Sequence, residues 1–206
     1  MVPRASWGRQ GTVARTTWIL PTNPQGSIGD RQDFAQEWLV LARKMPIILA
    51  RIDDRLIHGQ ITVSWSKTSN PDVIAVVSDK VASDDLQRSA LGLGTPIGTE
   101  LVIYTVKDAT KELGSKSPSV KKRVFVIAPS PKEFLDLIKG GVKIESINVG
   151  QMGFKQGRKQ ISKTVSVGKD DIQAFKELHA LAIKLEQRQL PSDKKVELEK
   201  LLPELL

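Results

Sequence analysis

From Met45 onward, short runs of apolar, β-branched residues alternate with longer segments of mixed polarity. The runs are Ile47–Ile52, Val73–Val77, Leu101–Val106, Val124–Ala128 and Ile144–Val149, each bounded by Gly, Pro, Asp or Ser. Their brevity and composition predict strands. Between and after them, helical spacing of apolar positions predicts helices over about 58–68, 82–93, 108–115, 131–140 and 170–188. A strand that is apolar at successive positions is buried on both faces. Strand–helix alternation of this kind therefore predicts an α/β fold: one domain with a mostly parallel, open, twisted sheet and helices on both faces. Polar–apolar alternation over 160–167 predicts one or two edge strands. A last short helix is expected over 192–204, begun by Ser192 as cap and interrupted near Pro203.

Residues 1–44 break this pattern. They hold Trp7, Trp18 and Trp38 and no sustained periodicity, although Phe34, Trp38 and Leu41 have the spacing of a short helix over 31–44. Few serines and the acids Asp30, Asp33 and Glu37 argue against a transit peptide, and Thr17–Leu20 is too short for a secretory core. The expectation is a poorly ordered, vector-derived or mis-assigned extension over 1–44, with the domain at 45–206. There are no internal repeats and no run of the roughly 18 apolar residues that a membrane span needs, so the protein is expected to be soluble.

Composition narrows the chemistry. The 206 residues contain no cysteine, which excludes disulfides and thiolate sites, and two histidines, which argues against a His-rich metal centre. The formal net charge of +8 raises nucleic acid as a partner. The charge is dispersed, however, with Lys121-Lys122-Arg123 the densest run, and aromatic residues make up 5% of the chain. A solvated basic surface fits better than a nucleic-acid site, with docking onto acidic proteins or an anionic membrane face in between.

Ligands of open parallel sheets bind beyond the carboxyl ends of the strands. The first such loop carries Asp53, Asp54, Arg55, His58, Gly59 and Gln60. A neutral imidazole attacks phosphorus without a strong base, so His58 is the candidate nucleophile and phosphoryl acceptor. Arg55 offers a planar fork to phosphate oxygens or pairs with a neighbouring acid. Asp54 either orients the imidazole or stabilises a cationic ring, and Asp53 is equally a turn cap. Gly59 permits close approach, ahead of a helix whose first N–H groups face an anion. Ser78 is a phosphate donor or the cap of the next helix. Gly150-Gln151-Met152-Gly153 is a nest of backbone N–H groups or simply a tight turn. Lys155 and Arg158 either complete a basic rim for a partner or a phosphate or are solvated surface charges. His179 lies on or beside the buried stripe of its helix and is read as structural. No Walker or dinucleotide-binding glycine motif occurs.

The stretch from Pro46 through Asp53-Asp54-Arg55-Leu56-Ile57-His58-Gly59-Gln60 closely resembles the start of the IIB component of mannose/sorbose-type bacterial sugar phosphotransferase systems. So do Val76–Asp79, Gly140–Ile144, Asn148–Phe154 and Val165–Val167, so that the resemblance spans about 45–200. It implies a seven-stranded sheet and a phosphohistidine carrier needing no metal and no cofactor. His58 would accept a phosphoryl group from a IIA component and deliver it to a hexose or amino sugar carried by the membrane components IIC and IID. Arg55 would hold the phosphoryl oxygens, and Asp54, Gln60, Ser78 and the Gly150–Phe154 turn fall at matching places. Such a protein is expected to be cytoplasmic, attached peripherally to its permease, and homodimeric. Gly92–Gly98, Gln151 and Gly153 depart from the usual pattern. The other readings are a regulatory phosphoprotein of the same fold and, on charge alone, a nucleic-acid binder.

Overall fold

The computed structural model describes residues 47–114 and 122–205, so the expectations for 1–44 lie outside the described residues. The first strand, β1 (Ile47–Asp53), is followed by a π-helical turn (Gln60–Trp65) that runs on into α1 (Ser66–Ser69). Then come β2 (Val73–Val77), α2 (Asp79–Ala82), α3 (Asp85–Leu93), β3 (Glu100–Tyr104) and α4 (Val106–Leu113). After 122 the order is β4 (Val124–Ala128), α5 (Pro131–Lys139), β5 (Ser146–Gln151), β6 (Lys159–Gln160) and β7 (Ser166–Val167). The chain continues through α6 (Lys169–Ala180), β8 (Lys184–Gln187) and β9 (Val196–Glu197), ending in 3-10 turns at Leu198–Lys200 and Pro203–Leu205.

Seven strands form one sheet in the order β3-β2-β4-β1-β5-β8-β9, parallel throughout except that β9 runs antiparallel to β8. The strands β6 and β7 form a separate antiparallel ribbon. Alternate residues of β4 show why the strand reads as continuously apolar. Val124, Val126 and Ala128 pack with α4, α5 and α6 through Ala109, Leu113, Phe134 and Phe175. Phe125 and Ile127 point the other way, onto Ile61 and Trp65 of the π-helical turn and Val81 of α2. Two cores, one per face, follow from that alternation.

Three sequence expectations need correction. The helix expected over 170–188 ends at Ala180, because Ala182 turns left-handed (φ 58°) and the chain becomes β8. No helix fills 192–204. Ser192 lies in a turn, and β9 and two 3-10 turns follow because Val196 pairs with Gln187 at the sheet edge. The helix expected over 82–93 begins only at Asp85, where the Asp84 side chain caps it by accepting the Gln87 N–H at 2.9 Å, and the separate short helix α2 precedes it.

The order of strands also locates a crevice. From β1 the chain leaves toward β2 on one side, and from β5 toward β8 on the other. Adjacent strands whose connections diverge leave an opening at their carboxyl ends. The His58 loop and the Gly150–Gly153 turn flank this opening.

Candidate active site

Beyond β1 the alternation of charged and apolar residues is resolved by a tight turn. The Leu56 N–H donates to the Asp53 carbonyl at 3.0 Å, and Leu56 itself adopts φ 56°. A branched side chain rarely adopts that conformation, which costs about 1–2 kcal/mol. Burial of Leu56 and Ile57 on the second core offsets it. With those two turned inward, Arg55 and His58 stay at the surface, their side chains 35% and 18% exposed.

The side chains converge on Asp53, which is fully buried. Its Oδ1 accepts from the Arg55 N–H and from Arg55 Nε, both at 3.2 Å. Its Oδ2 accepts from Arg51 Nη2 at 2.8 Å and lies 3.8 Å from Nε2 of His58. Gln60 bridges the outer side, its Oε1 3.0 Å from Arg55 Nη2 and 3.4 Å from His58 Nε2. The other ring nitrogen, Nδ1, lies 2.8 Å from the Leu56 carbonyl. Both ring nitrogens therefore face acceptors, and the ring is fixed from two sides. Behind it, the His58 carbonyl accepts from the Thr62 N–H at 3.0 Å, which ties the loop to the π-helical turn. Gly59 has a helical backbone and nothing within 4 Å of where a Cβ would stand, so the space beside His58 is open.

Asp54 is placed differently from expectation. Its Oδ2 accepts the Gly153 N–H at 2.6 Å, and its backbone N–H donates to the Gln151 carbonyl at 3.1 Å. It thus braces the β5 turn, while Asp53 is the carboxylate beside the imidazole. The reason is the strand's own alternation. Asp53 ends β1 in register with Gln151, and Asp54 is the first residue past it. The Gly150–Gly153 turn is not an open nest either. The Met152 N–H donates to the Thr164 carbonyl at 2.9 Å, and Gly153 serves Asp54. Met152 is buried and bridges to Val165. Ser78 caps α2, accepting from the Val81 N–H at 3.4 Å, at the end of a strand that β4 separates from β1. His179 pairs with Glu199 at 3.1 Å near the end of α6. Lys155 is exposed, and Arg158 pairs with Asp171 at 3.3 Å.

Arg51 is the residue that sequence reasoning missed. The sequence places it inside an apolar run, and its guanidinium is fully buried beside Asp53. It stacks 4.8 Å from the ring centroid of Trp65, which Arg188 faces at 4.9 Å. Burial pushes its pKa down from the ordinary guanidinium value, with Asp53 acting in the opposite direction. Among the described residues, no three acidic or histidine side chains group as a metal site, and no helix is long and apolar enough to cross a membrane.

Comparison with known proteins gives the same family as the sequence. The family model of the PTS system sorbose subfamily IIB component matches residues 47–205. The sorbose-specific EIIB component of Lacticaseibacillus casei is 46% identical over 149 residues, covering 72% of this chain and 90% of that protein. The mannose-specific EIIAB component of Escherichia coli K12 is 40% identical over 161 residues, 78% of this chain and 50% of that protein. The crystal structure of the IIB domain of the sorbose permease from Klebsiella pneumoniae superposes with a TM-score of 0.73 at 37% identity. The match covers 77% of this chain and 97% of that one.

Proposed function

From a chain that belongs to the sorbose subfamily of phosphotransferase-system IIB components, we propose a phosphocarrier that works through His58. It takes the phosphoryl group from a phosphohistidine on a IIA component. It then delivers the group to a hexose or amino sugar entering through the IIC and IID membrane components, at the cytoplasmic face of that permease. IIB components of this type serve sugar uptake as phosphotransferases. The observation that carries the assignment to His58 is its place. It is a reachable imidazole at the crevice between β1 and β5, with a buried carboxylate, an arginine fork and a glutamine around it.

In the first transfer a ring nitrogen of His58 attacks phosphorus in line. Its N–P bond forms as the donor's N–P bond breaks and the donor imidazole departs. Such transfers proceed through a loose, highly charged transition state, so positioning and charge stabilisation carry most of the catalysis. Arg55 supplies a fork to the equatorial oxygens, and Asp53 offsets the positive charge that the ring acquires. Open space at Gly59 admits the donor. In the second transfer a sugar hydroxyl attacks phosphorus, the His58 N–P bond breaks and the hydroxyl proton passes to the departing imidazole. Asp54 serves here by fixing the β5 turn, and Gln60 by linking Arg55 to the ring.

The test is intact mass after mixing the protein with phosphoenolpyruvate, the general phosphotransferase proteins and a mannose-type IIA. The wild type gains one acid-labile phosphoryl group and His58→Ala gains none. Labelling retained by His58→Ala overturns the assignment.

A further inference from the structure

Asp53 is shared by two arginines that it holds on unequal terms. Arg51 satisfies all five of its N–H donors inside the protein. Nε and Nη2 donate to Asp53 Oδ2 at 3.3 and 2.8 Å, Nη2 also to the Gln189 carbonyl at 3.3 Å, and Nη1 to Asn148 Oδ1 and the Arg188 carbonyl. It is sandwiched against Trp65, whose Nε1 donates to the same Gln189 carbonyl at 2.9 Å. Arg55 is held loosely by comparison. Its side-chain bonds to Asp53 are 3.2 and 3.4 Å long, its remaining partner is Gln60, and Nη1 makes no bond among the described residues. Arg51 is wholly buried, and Arg55 is one-third exposed and adjacent to the histidine.

We propose that Arg51 is a positioning residue for phosphoryl transfer. It is the permanent counter-ion of Asp53, and it thereby frees Arg55 to leave that carboxylate for the phosphoryl group. The proposal rests on the phosphocarrier reading of His58. Its logic is charge bookkeeping in a dry place. A carboxylate buried without a cation is strongly unfavourable, so an arginine that is its sole partner does not leave. With Arg51 fixed on Oδ2, Arg55 turns outward to an arriving phosphoryl group and Asp53 remains paired. The same fixed carboxylate stays beside the imidazole, so the ring does not move when Arg55 does. Arg51 touches neither the phosphoryl group nor the donor. Its effect passes through Asp53.

The experiment measures initial rates of phosphoryl acceptance from phosphorylated IIA by wild type, Arg51→Met, Arg51→Lys, Asp53→Asn and the double variant Arg51→Met/Asp53→Asn. Circular dichroism confirms the fold of each. Arg51→Met is expected to slow kcat about thirtyfold with the KM for the donor unchanged, and Arg51→Lys, which keeps the charge without the fork, to lose less. Because Arg51 acts through Asp53, the double variant is expected to be no slower than Asp53→Asn alone. Single losses that multiply in the double variant overturn the proposal, as does Arg51→Met at the wild-type rate. If Arg51→Met does not fold, the polar but uncharged Arg51→Gln is measured in its place, and its acceptance at the wild-type rate overturns the proposal equally. A wild type that takes no phosphoryl group from an active donor instead brings down the phosphocarrier reading, and is told apart by that control.

Discussion

A methyl group on Gly150 would stand 2.0 Å from Cζ of Arg51, far inside contact distance. The guanidinium rests on the glycine backbone, and a side chain there has to push it off Asp53. Gly150→Ala is therefore expected to cost about 1–3 kcal/mol of stability, as overpacking does, and to slow phosphoryl acceptance as well. Urea denaturation and the acceptance assay check the two parts, and an unchanged rate would show that Arg51 tolerates displacement. This residue also shows where reading the sequence reaches its limit. His58, Arg55, Gly59 and Gln60 are legible because they cluster within seven positions of the end of β1. Arg51 is not, because its burial depends on Trp65, Gly150 and the carbonyls of Arg188 and Gln189, which are distant in sequence. That Asp53, and not Asp54, lies beside the imidazole is hidden for a related reason. Adjacent residues at a strand end face different neighbours, and only the pairing with β5 says which faces what.

At the scale of elements, two helices end in the same way and only one end was readable. After α5, Gly141 is left-handed (φ 97°), and Val142 N–H reaches back to the Leu137 carbonyl at 3.0 Å. After α6, Ala182 occupies the equivalent position (φ 58°), and Ile183 N–H reaches back to Leu178 at 3.1 Å. Both are left-handed helix stops, for which glycine is the usual residue. Glycine at 141 is a residue that such a stop favours. Alanine at 182 is not, so the helical spacing runs on through β8 to 188. The strand itself is Lys-Leu-Glu-Gln, polar at three of its four positions because it lies next to the sheet edge, and it carries no run of β-branched residues. Ala182→Gly is expected to stabilise the fold. Relief of the left-handed strain, about 1 kcal/mol or more, outweighs the added entropy of the unfolded chain, about 0.4–1 kcal/mol. A higher denaturation midpoint with an unchanged slope is the expected result, and a lower midpoint would mean that Ala182 is unstrained.

Across the whole molecule, the two ends of the sheet do different work. Strand order was beyond reach of periodicity alone, since apolar runs do not say which neighbours they pair with. Yet the order is what sets the loop after β1 beside the turn after β5 at the carboxyl ends. At the amino ends of β2 and β4 lies a purely structural clasp. Arg123 donates to Asp72 from its backbone N–H at 2.7 Å and from Nε and Nη2 at 3.1 Å, and the Asp72 N–H returns a bond to the Arg123 carbonyl. These bonds, the side-chain ones first, hold the Asp72 carboxyl below its ordinary value. A carboxylate whose pKa is depressed by folding contributes stability above its unfolded value, near 4, and that contribution is lost as pH falls through the folded value. Asp72→Asn is therefore expected to lower the melting temperature at pH 7. The gap from wild type should narrow as the pH drops below about 4, where both carry a neutral group at this position. Phosphoryl acceptance at pH 7 and 25 °C should be unchanged, because the clasp lies at the end of the sheet opposite His58. Thermal melts across pH beside the acceptance assay separate the two properties. A loss of acceptance in a folded Asp72→Asn protein would mean that strain at the amino ends of the strands is transmitted along β4 and β1 to the crevice.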